Sequence, residues 1–309
     1  MTSTSTRREI RFPSGVGECA AWAYSPETDP TGTSPPVVVM AHGLGGVKEV
    51  RLDAFAERFR SAGYSCLVFD YRHFGESGGE PRELLDVRLQ QEDWRSAVAF
   101  ARSRDGFSAD RVVLWGTSFA GGHVIVTAAD DPKVVAVIAQ CPFTDGPASA
   151  LALNPRDSIR LAPQVLRDLV AMWRRRPPVR VQIDGLPGQL ALLTARDTKP
   201  GYEMLLAASG ISDLPRRVPA RAVPQIMRYI PGRRAKDVRC PILFCVCAHD
   251  SVAPAQASVR HARKAPLGEV KIYDAGHFDI YLGEHFERVV GDQIAFLNTH
   301  VRTRLGTHH

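Results

Sequence analysis

The sequence has no uninterrupted apolar run that approaches the roughly 18 residues needed to cross a membrane. Its first eight residues, 1–8, are polar and basic and contain no apolar signal core. We therefore expect a cytoplasmic protein without a membrane partner. Its 309 residues, 44% hydrophobic and 23% charged, are typical of a soluble chain with one large domain, which can carry an insertion.

Metal-binding and nucleic-acid-binding patterns are also missing. Cys245 and Cys247 have no second pair of cysteines or histidines at the spacing of a zinc site. The six cysteines lie mostly in or beside apolar, strand-like runs, so we expect them to be buried and reduced. The basic residues do not alternate with aromatic ones as in nucleic-acid-binding motifs. We predict no metal, no other cofactor and no nucleic-acid partner.

The positive charge of the chain is concentrated in its middle. Residues 143–239 contain 17 Lys or Arg and eight Asp or Glu, whereas the net charge of the whole chain is only +6. The same stretch is rich in Pro and Arg and shows only helix-like periodicity, as in Val165, Leu166, Leu169 and Trp173. We predict a helical cap or lid at residues 143–237 that interrupts a core formed by residues 1–142 and 238–309.

Outside this segment, short apolar runs alternate with helix-like periodicity. Continuous apolar runs are typical of strands that are covered on both faces, and alternation of strands with helices is typical of a parallel sheet. Two strands joined by a turn at residues 14–17 are predicted to come first. The fold class is therefore α/β: a mostly parallel twisted sheet with helices on both faces. The predicted strands are residues 9–13, 18–24, 37–41, 66–71, 111–115, 134–139, 240–248 and 269–273.

Ser118 lies between a predicted strand and a predicted helix, in the sequence Gly116–Ala120. A tight turn from strand to helix strains the central residue and tolerates only small neighbours two positions away, here Gly116 and Ala120. Such a turn pushes the serine hydroxyl out over the edge of the sheet. The pattern Gly-x-Ser-x-Ala therefore predicts a nucleophile elbow.

A serine nucleophile needs a general base and a third group that orients this base. His277 follows the last predicted strand and Asp250 follows the strand before it, so both belong to the sheet edge that carries Ser118. The chain order Ser, Asp, His matches that expected for sheet enzymes of this type. Asp274 and Asp279 remain rival acids, and His249 a rival base.

The developing oxyanion of an acyl transfer needs hydrogen-bond donors. The N–H of Phe119, which follows the nucleophile, and the N–H of Leu44, in the loop after strand 37–41, are the predicted donors. We also predict, for the substrate pocket, the residues His42, Gly43, Phe143, Trp173 and His249. For Trp173, packing in the core of the cap is the alternative.

With these motifs the sequence resembles the α/β-hydrolase fold superfamily. The resemblance rests on residues 42–46, 70–77, 116–121, 249–250 and 276–277, and so extends across the core. It is closest to bacterial serine esterases of the acetyl-xylan-esterase and dienelactone-hydrolase-like type, some of which are named polyketide transferases. In such proteins a helical cap follows the strand after the elbow, where residues 143–237 lie. A serine at the elbow argues against dehalogenases and epoxide hydrolases, which use aspartate.

The expected function is hydrolysis of a small carboxylic ester through Ser118, Asp250 and His277 with an acyl-enzyme intermediate. Thioester, amide or peptide substrates, acyl transfer to an acceptor other than water, and carbon–carbon bond cleavage stay open, because all can use the same triad. A non-catalytic ligand-binding member of the fold is the alternative from another class. The resemblance also implies a possible homodimer. Arg72, in the loop after strand 66–71, is interpreted as structural.

Overall fold

The computed structural model describes residues 7–26, 34–152 and 155–302. Its strands, in chain order, are β1 (Arg7–Ser14), β2 (Gly17–Tyr24), β3 (Val37–Ala41), β4 (Ser65–Phe69), β5 (Val112–Thr117), β6 (Ala136–Gln140), β7 (Arg180–Asp184), β8 (Ala191–Leu193), β9 (Arg217–Pro219), β10 (Ile242–Cys247) and β11 (Gly268–Tyr273). Its α-helices are α1 (Leu52–Ser61), α2 (Val87–Ser103), α3 (Phe119–Asp130), α4 (Gly146–Ala152), α5 (Pro155–Trp173), α6 (Thr198–Ala208), α7 (Val223–Arg228), α8 (Ala255–Ala262) and α9 (Gly283–Leu297).

Eight strands form the main sheet, in the order β1-β2-β4-β3-β5-β6-β10-β11. The pairs β1–β2 and β2–β4 are antiparallel, and the remaining pairs are parallel. The predicted fold class is confirmed, with helices on both faces: α1 packs against α9, and α2 packs against α3. Within the described residues, no helix has the length and apolar content to span a bilayer.

The centre of the sheet is apolar because helices cover both of its faces. Every residue of β3, β4, β5, β6 and β10 is buried, which explains why these segments are continuous apolar runs rather than alternating ones. Trp115 on β5 packs at a tilt against Phe55 of α1, and Trp94 of α2 packs edge-to-face on Phe69 of β4. The six cysteines are buried and free, as predicted.

Local sequence fixes where the flanking helices begin and end. At the start of α2, the carboxylate of Asp86 accepts hydrogen bonds from the N–H groups of Arg88 and Leu89 at 2.9 and 3.2 Å. This N-cap satisfies two of the amides that a helix leaves without an internal partner. Helix α1 is followed by Gly63 at φ +84°, a conformation that glycine adopts without steric cost. The local sequence thus encodes the start of α2 and the end of α1.

The segment 143–237, predicted as a helical cap, contains strands as well as helices. Besides α4, α5, α6 and α7, this segment forms a second sheet of three strands in the order β8-β7-β9. Strand β7 pairs parallel with β8 and antiparallel with β9. Strands of three to five residues are too short to show an alternating pattern, and turn-forming Pro and Gly lie between them. The division of the chain at residues 143 and 237 stays a prediction.

Candidate active site

Ser118 stands at a sharp turn between β5 and α3. Its backbone adopts φ 56° and ψ −117°, a region that non-glycine residues rarely occupy. A Cβ atom on Gly116 would lie 2.3 Å from the carbonyl oxygen of Ala120, so only glycine fits at that position. The N–H of Ser118 donates to the carbonyl of Gln140 at 2.9 Å. The elbow is thus held by the neighbouring strand.

His277 lies between the serine and an acid. Its Nε2 is 3.1 Å from Oγ of Ser118, and its Nδ1 is 2.8 Å from Oδ2 of Asp250. The side chains of His277 and Asp250 are only 4% and 1% exposed. Asp250 follows β10 and His277 follows β11, so the parallel strands bring the three residues to one edge of the sheet.

The carboxylate of Asp250 is fixed in place by the backbone as well. Its Oδ1 accepts hydrogen bonds from the N–H groups of Val252 and Ala253 at 2.9 and 2.6 Å. The two oxygens are therefore used differently, one by the backbone and one by His277. This arrangement leaves Oδ2 as the acceptor for Nδ1–H, so that Nε2 of the neutral ring faces the serine hydroxyl as an acceptor.

The rival residues have other partners. Asp274 has a side chain that is 90% exposed, and it pairs with Nε2 of His249 at 2.8 Å. Asp279 accepts a hydrogen bond from the N–H of Gly276 at 2.8 Å and so stabilises the loop that carries His277. The geometry brings Asp250 to His277, with Asp274 and Asp279 placed elsewhere.

The predicted oxyanion donors lie beside the serine. A Cβ atom on Gly43 would lie 2.8 Å from Cβ of Ser118, which shows how closely this loop approaches the elbow. Phe119 is the first residue of α3, so its N–H has no partner within the helix. In the described part of the chain, neither the N–H of Leu44 nor that of Phe119 donates to another group. The hydroxyl of Tyr202 donates to the carbonyl of Leu44 at 3.1 Å.

A cavity adjoins Ser118, between the sheet edge and the cap. Its walls are mostly apolar, and its volume of about 60 Å³ is several times the ~15 Å³ that one water requires. Both oxyanion candidates, Leu44 and Phe119, line it, as does Phe143. The remaining lining residues are Ser118, Gly146, Ser149, Ala150, Leu161, Leu192, Leu193, Val223, Ile226, Met227 and Val252.

Four of the predicted pocket residues, His42, Gly43, Trp173 and His249, do not line this cavity, although Gly43 lies directly beside Ser118. Trp173 is 80% exposed at the end of α5, where an apolar side chain on the outer face has nothing to pack against. His249 is turned outwards to Asp274. His42 is buried, and its Nε2 donates to the carbonyl of Val50 at 3.1 Å, so it holds the loop instead. Burial lowers the pKa of His42 to about 4, so it remains neutral.

Sequence reasoning missed the cap residues that form the cavity, such as Ser149 and Ile226. A serine on a short helix carries no sequence signal of its own. It also missed the contact between core and cap at Tyr229, whose hydroxyl lies 2.8 Å from Nδ1 of His123 and accepts from Nε2 of Gln91 at 3.0 Å. Burial lowers the pKa of His123 to about 3, which keeps this ring neutral.

One group of side chains near the site has the composition of a metal site. Ligand atoms of Cys141, Asp250 and His277 lie within 4.8 Å of one another. A cysteine binds metals as the thiolate, and burial raises the pKa of Cys141 to about 12. The other two residues are hydrogen-bonded to each other. These donors therefore fit a hydrogen-bonded triad better than an ion.

Arg72 has the surroundings of a structural residue. Its guanidinium is buried and bonds to Asp93 and Glu92 of α2, and its backbone N–H also donates to Asp93 at 3.0 Å. These contacts tie the loop after β4 to α2 and do not reach the cavity at Ser118. The structural interpretation of Arg72 agrees with this placement.

Known proteins with similar sequences include both bacterial and fungal chains. Quorum-quenching protein AidA of Acinetobacter baumannii is 50% identical over 289 residues, which cover 94% of this chain and 93% of that protein. Thiohydrolase aneE of Aspergillus aculeatus is 27% identical over 276 residues, 85% of each chain.

Solved structures show the same fold at lower identity. The alpha/beta hydrolase GrgF of a Penicillium species has a TM-score of 0.81 at 22% identity, covering 96% of this chain and 99% of that one. Est1E of Butyrivibrio proteoclasticus, solved with ferulic acid, has a TM-score of 0.65 at 17% identity, covering 95% of this chain and 99% of that one. The sequence profile described as "Alpha/beta hydrolase family" matches residues 38–292, more than half of the chain. This protein therefore belongs to the alpha/beta hydrolase family.

Proposed function

We propose that this protein hydrolyses a carboxylic ester through an acyl-enzyme formed on Ser118. The observation that carries this proposal is the continuous chain of hydrogen-bonding atoms from Ser118 through His277 to Asp250, beside an apolar cavity. The contacts suit the three roles: the hydroxyl of Ser118, as nucleophile, faces one ring nitrogen of His277, and the buried carboxylate of Asp250 faces the other.

In the first half-reaction, Oγ of Ser118 attacks the acyl carbon while Nε2 of His277 takes the hydroxyl proton. The C–O bond to the leaving alcohol then breaks, and the alcohol oxygen receives that proton from His277. In the second half-reaction, water attacks the acyl carbon and gives a proton to Nε2, and the proton returns to Oγ as the acid leaves. Asp250 stays ionised, and it orients the ring and stabilises its charged form.

The oxyanion of both tetrahedral intermediates would be stabilised by the N–H groups of Leu44 and Phe119. Both residues line the cavity at Ser118, and their amides have no acceptor within the described residues. Donors that are already oriented cost no reorganisation when charge develops, and one such donor contributes ~10²–10³ in kcat. Gly43 allows the loop to approach the serine closely enough for this role.

A fluorophosphonate probe and a p-nitrophenyl ester test the proposal together. We expect the wild-type protein to be labelled and to hydrolyse the ester, and Ser118→Ala to lose both. Ser103→Ala is the matched control, because Ser103 is exposed and bonds only to the carbonyl of Phe100. Labelling or hydrolysis retained by folded Ser118→Ala would refute the role of Ser118. An unlabelled wild type would favour a non-catalytic ligand-binding protein.

A second candidate is cleavage or transfer of an acyl group from a thioester. It is favoured by the names of relatives, which include thiohydrolases and polyketide transferases. The same acyl-enzyme forms from either substrate, and the two differ in the group that leaves and the nucleophile that accepts the acyl group. Rates for an ester and a thioester with the same acyl group, each with and without an added alcohol, separate these outcomes.

The relative of 50% identity adds a biological context. We propose that this protein, like that relative by its name, quenches a quorum-sensing signal. Catalytic quenching by this site requires a signal molecule whose acyl group can be transferred to Ser118. A reporter strain exposed to signal treated with wild-type protein should respond less, and the response should be restored with Ser118→Ala. Equal responses would contradict catalytic quenching.

A further inference from the structure

The cavity beside Ser118 contains one polar side chain that the proposed chemistry does not use. Among its described lining residues, only Ser118 and Ser149 carry polar side chains, and the others are apolar or glycine. Ser149 belongs to α4 of the cap, and it is one of the residues that line this cavity.

The hydroxyl of Ser149 has no partner. The residue is only 7% exposed, and its Oγ makes no hydrogen bond within the described residues. A serine on a helix can bond back to a carbonyl of the preceding turn. Ser149 uses its N–H, but not its hydroxyl, toward the carbonyl of Asp145, at 3.0 Å. Most buried polar groups are satisfied. Within the described residues eleven buried side-chain atoms lack a hydrogen-bond partner, and Ser149 is the one among them that lines this cavity.

The apolar residues that line the cavity with Ser149 offer its hydroxyl no side-chain hydrogen-bond partner. Phe143, Leu161 and Ile226 line the same cavity and have no side-chain donor or acceptor. An unpaired hydroxyl in such surroundings costs free energy, which a small apolar residue would avoid. A substrate group that supplies the missing hydrogen bond recovers this cost on binding.

We propose that Ser149 is a specificity-determining residue that hydrogen-bonds an oxygen on the otherwise apolar part of the substrate. This proposal rests on the proposed ester hydrolysis at Ser118. The preferred substrate is then an ester whose hydrocarbon portion carries a hydroxyl or keto oxygen away from the scissile bond. A hydroxyl can donate to a keto oxygen or accept from an alcohol, so Ser149 serves either group.

Ser149 would disfavour unsubstituted substrates as well as favour oxygenated ones. An unsubstituted chain covers the Ser149 hydroxyl without giving it a partner, whereas an oxygenated chain satisfies it. Sites built to hydrogen-bond a substrate group discriminate against analogues that lack it for this reason. The apolar walls still bind the rest of the chain in both cases.

The test compares matched p-nitrophenyl and alkyl esters of equal chain length. One set is unsubstituted, and the others carry a hydroxyl or keto group at successive positions of the acyl or the alcohol portion. For the preferred position we expect wild-type kcat/KM to exceed that of the unsubstituted ester by about tenfold. Ser149→Ala should abolish this ratio and raise kcat/KM for the unsubstituted ester. The series also tells which portion occupies the cavity.

Further variants separate hydrogen bonding from shape. Ser149→Cys has nearly the size of serine but a weak donor, so it should lose the preference as alanine does. Ser149→Thr keeps a hydroxyl and should retain the preference. Ser103→Ala, at the exposed serine used above, should keep the wild-type ratio. A ratio that is unchanged in Ser149→Ala, or that falls in Ser149→Thr as far as in Ser149→Ala, would overturn the proposal.

A binding measurement distinguishes failure of this proposal from failure of the proposed function. Ser118→Ala cannot form the acyl-enzyme, so its affinity for the two kinds of ester can be measured by calorimetry without turnover. We expect tighter binding of the oxygenated ester, lost in the double variant Ser118→Ala with Ser149→Ala. If wild type hydrolyses no ester while this preference is present, the proposed function fails and the role of Ser149 stands. Equal affinities would refute the role of Ser149.

Discussion

The sheet core and the segment 143–237 differ in how completely they cover their apolar side chains. In the core, all residues of β3, β5 and β10 are buried. In the cap, helix α5 leaves Ile159, Leu166 and Trp173 more than half exposed. A position packed on all sides tolerates few alternatives, whereas a partly covered one tolerates many. The core therefore fixes the geometry of the triad, whereas the exposed face of α5 can accept other residues without disturbing it.

The two regions meet at Tyr229, whose hydrogen bonds to the core are surrounded by aromatic side chains. Tyr229 of the cap bonds to Gln91 and His123 of the core, and its ring stacks on Phe143 and contacts Phe119. Phe119 is also the residue after the nucleophile. The cap is thus attached to the core directly beside the nucleophile.

The largest expected effect lies in the core. Asp250→Asn keeps the size of the side chain but removes the acceptor that selects the tautomer of His277, so we expect kcat to fall by about 10⁴. Asp274→Asn is the matched control, because Asp274 is exposed and pairs with His249. Its kcat should equal that of wild type. Steady-state kinetics on one ester check both. Similar losses in the two variants would contradict the assignment of the acid.

A smaller loss of kcat is expected from a substitution at Gly43, in the loop of the core that approaches Ser118. A Cβ atom on Gly43 would lie 2.8 Å from Cβ of Ser118 and 3.2 Å from its Oγ, so Gly43→Ala should displace the nucleophile. Misplacement of a reacting group by about 1 Å can cost ~10² in rate, and we expect that loss in kcat.

Gly291→Ala serves as the control for this substitution. It lies on α9, has open space around the new Cβ, and should raise helix stability by up to ~1 kcal/mol with kcat unchanged. Wild-type kcat in Gly43→Ala would show that the loop moves away without cost, and that the approach of this loop is not needed for catalysis.

The contrast between the regions also explains what sequence could predict. The alternation of strands and helices predicts a parallel core, whose strand ends bring Ser118, Asp250 and His277 to one edge. The structure places these residues within hydrogen-bonding distance. The elbow can be predicted because its strained turn requires small residues at Gly116 and Ala120, and such a local requirement gives a recognisable sequence motif.

The cavity wall could not be predicted, because its members come together only through tertiary contacts. Ser149, Leu192 and Met227 lie far apart in the sequence and line one space. Trp173 was expected there because large apolar residues on an amphipathic helix usually face inwards, yet α5 turns it to solvent. The strands β7, β8 and β9 were missed since such short segments show no period.

Acid should destabilise the contact between the two regions. Burial lowers the pKa of His123 to about 3, whereas an unfolded histidine titrates near 6.5. Above pH 6.5 the ring is neutral in both states and its contribution is fully present. As the pH falls from 6.5 toward 3, only the unfolded state takes up the proton, so the free energy of unfolding should decrease by about 1.4 kcal/mol per pH unit from this residue.

His123→Gln removes that proton uptake and keeps a polar group beside Tyr229. Urea unfolding at pH 7.5, 6 and 5 should therefore show a shallower loss of stability in the variant than in wild type. Burial raises the pKa of Asp70 to about 6, which acts in the opposite direction. That contribution is present in both proteins, so it cancels in the comparison. If the free energy of unfolding of both proteins changed equally with pH, His123 would have to be protonated in the folded protein.

The smallest effect is expected on the outer face of the cap. Trp173 is 80% exposed and does not line the cavity, so Trp173→Ala should change the free energy of unfolding by no more than ~0.5 kcal/mol and leave kcat/KM unchanged. Leu161→Ala on the same helix removes a buried side chain that lines the cavity, and it should raise KM for apolar esters. Thermal unfolding and ester kinetics on both variants check this difference.

A change in kcat/KM with Trp173→Ala at least as large as with Leu161→Ala would show that the outer face of α5 contacts the substrate. The cap would then act on substrate from both faces of this helix, and its uncovered apolar residues would belong to the binding surface rather than to a part of the fold that is free to vary.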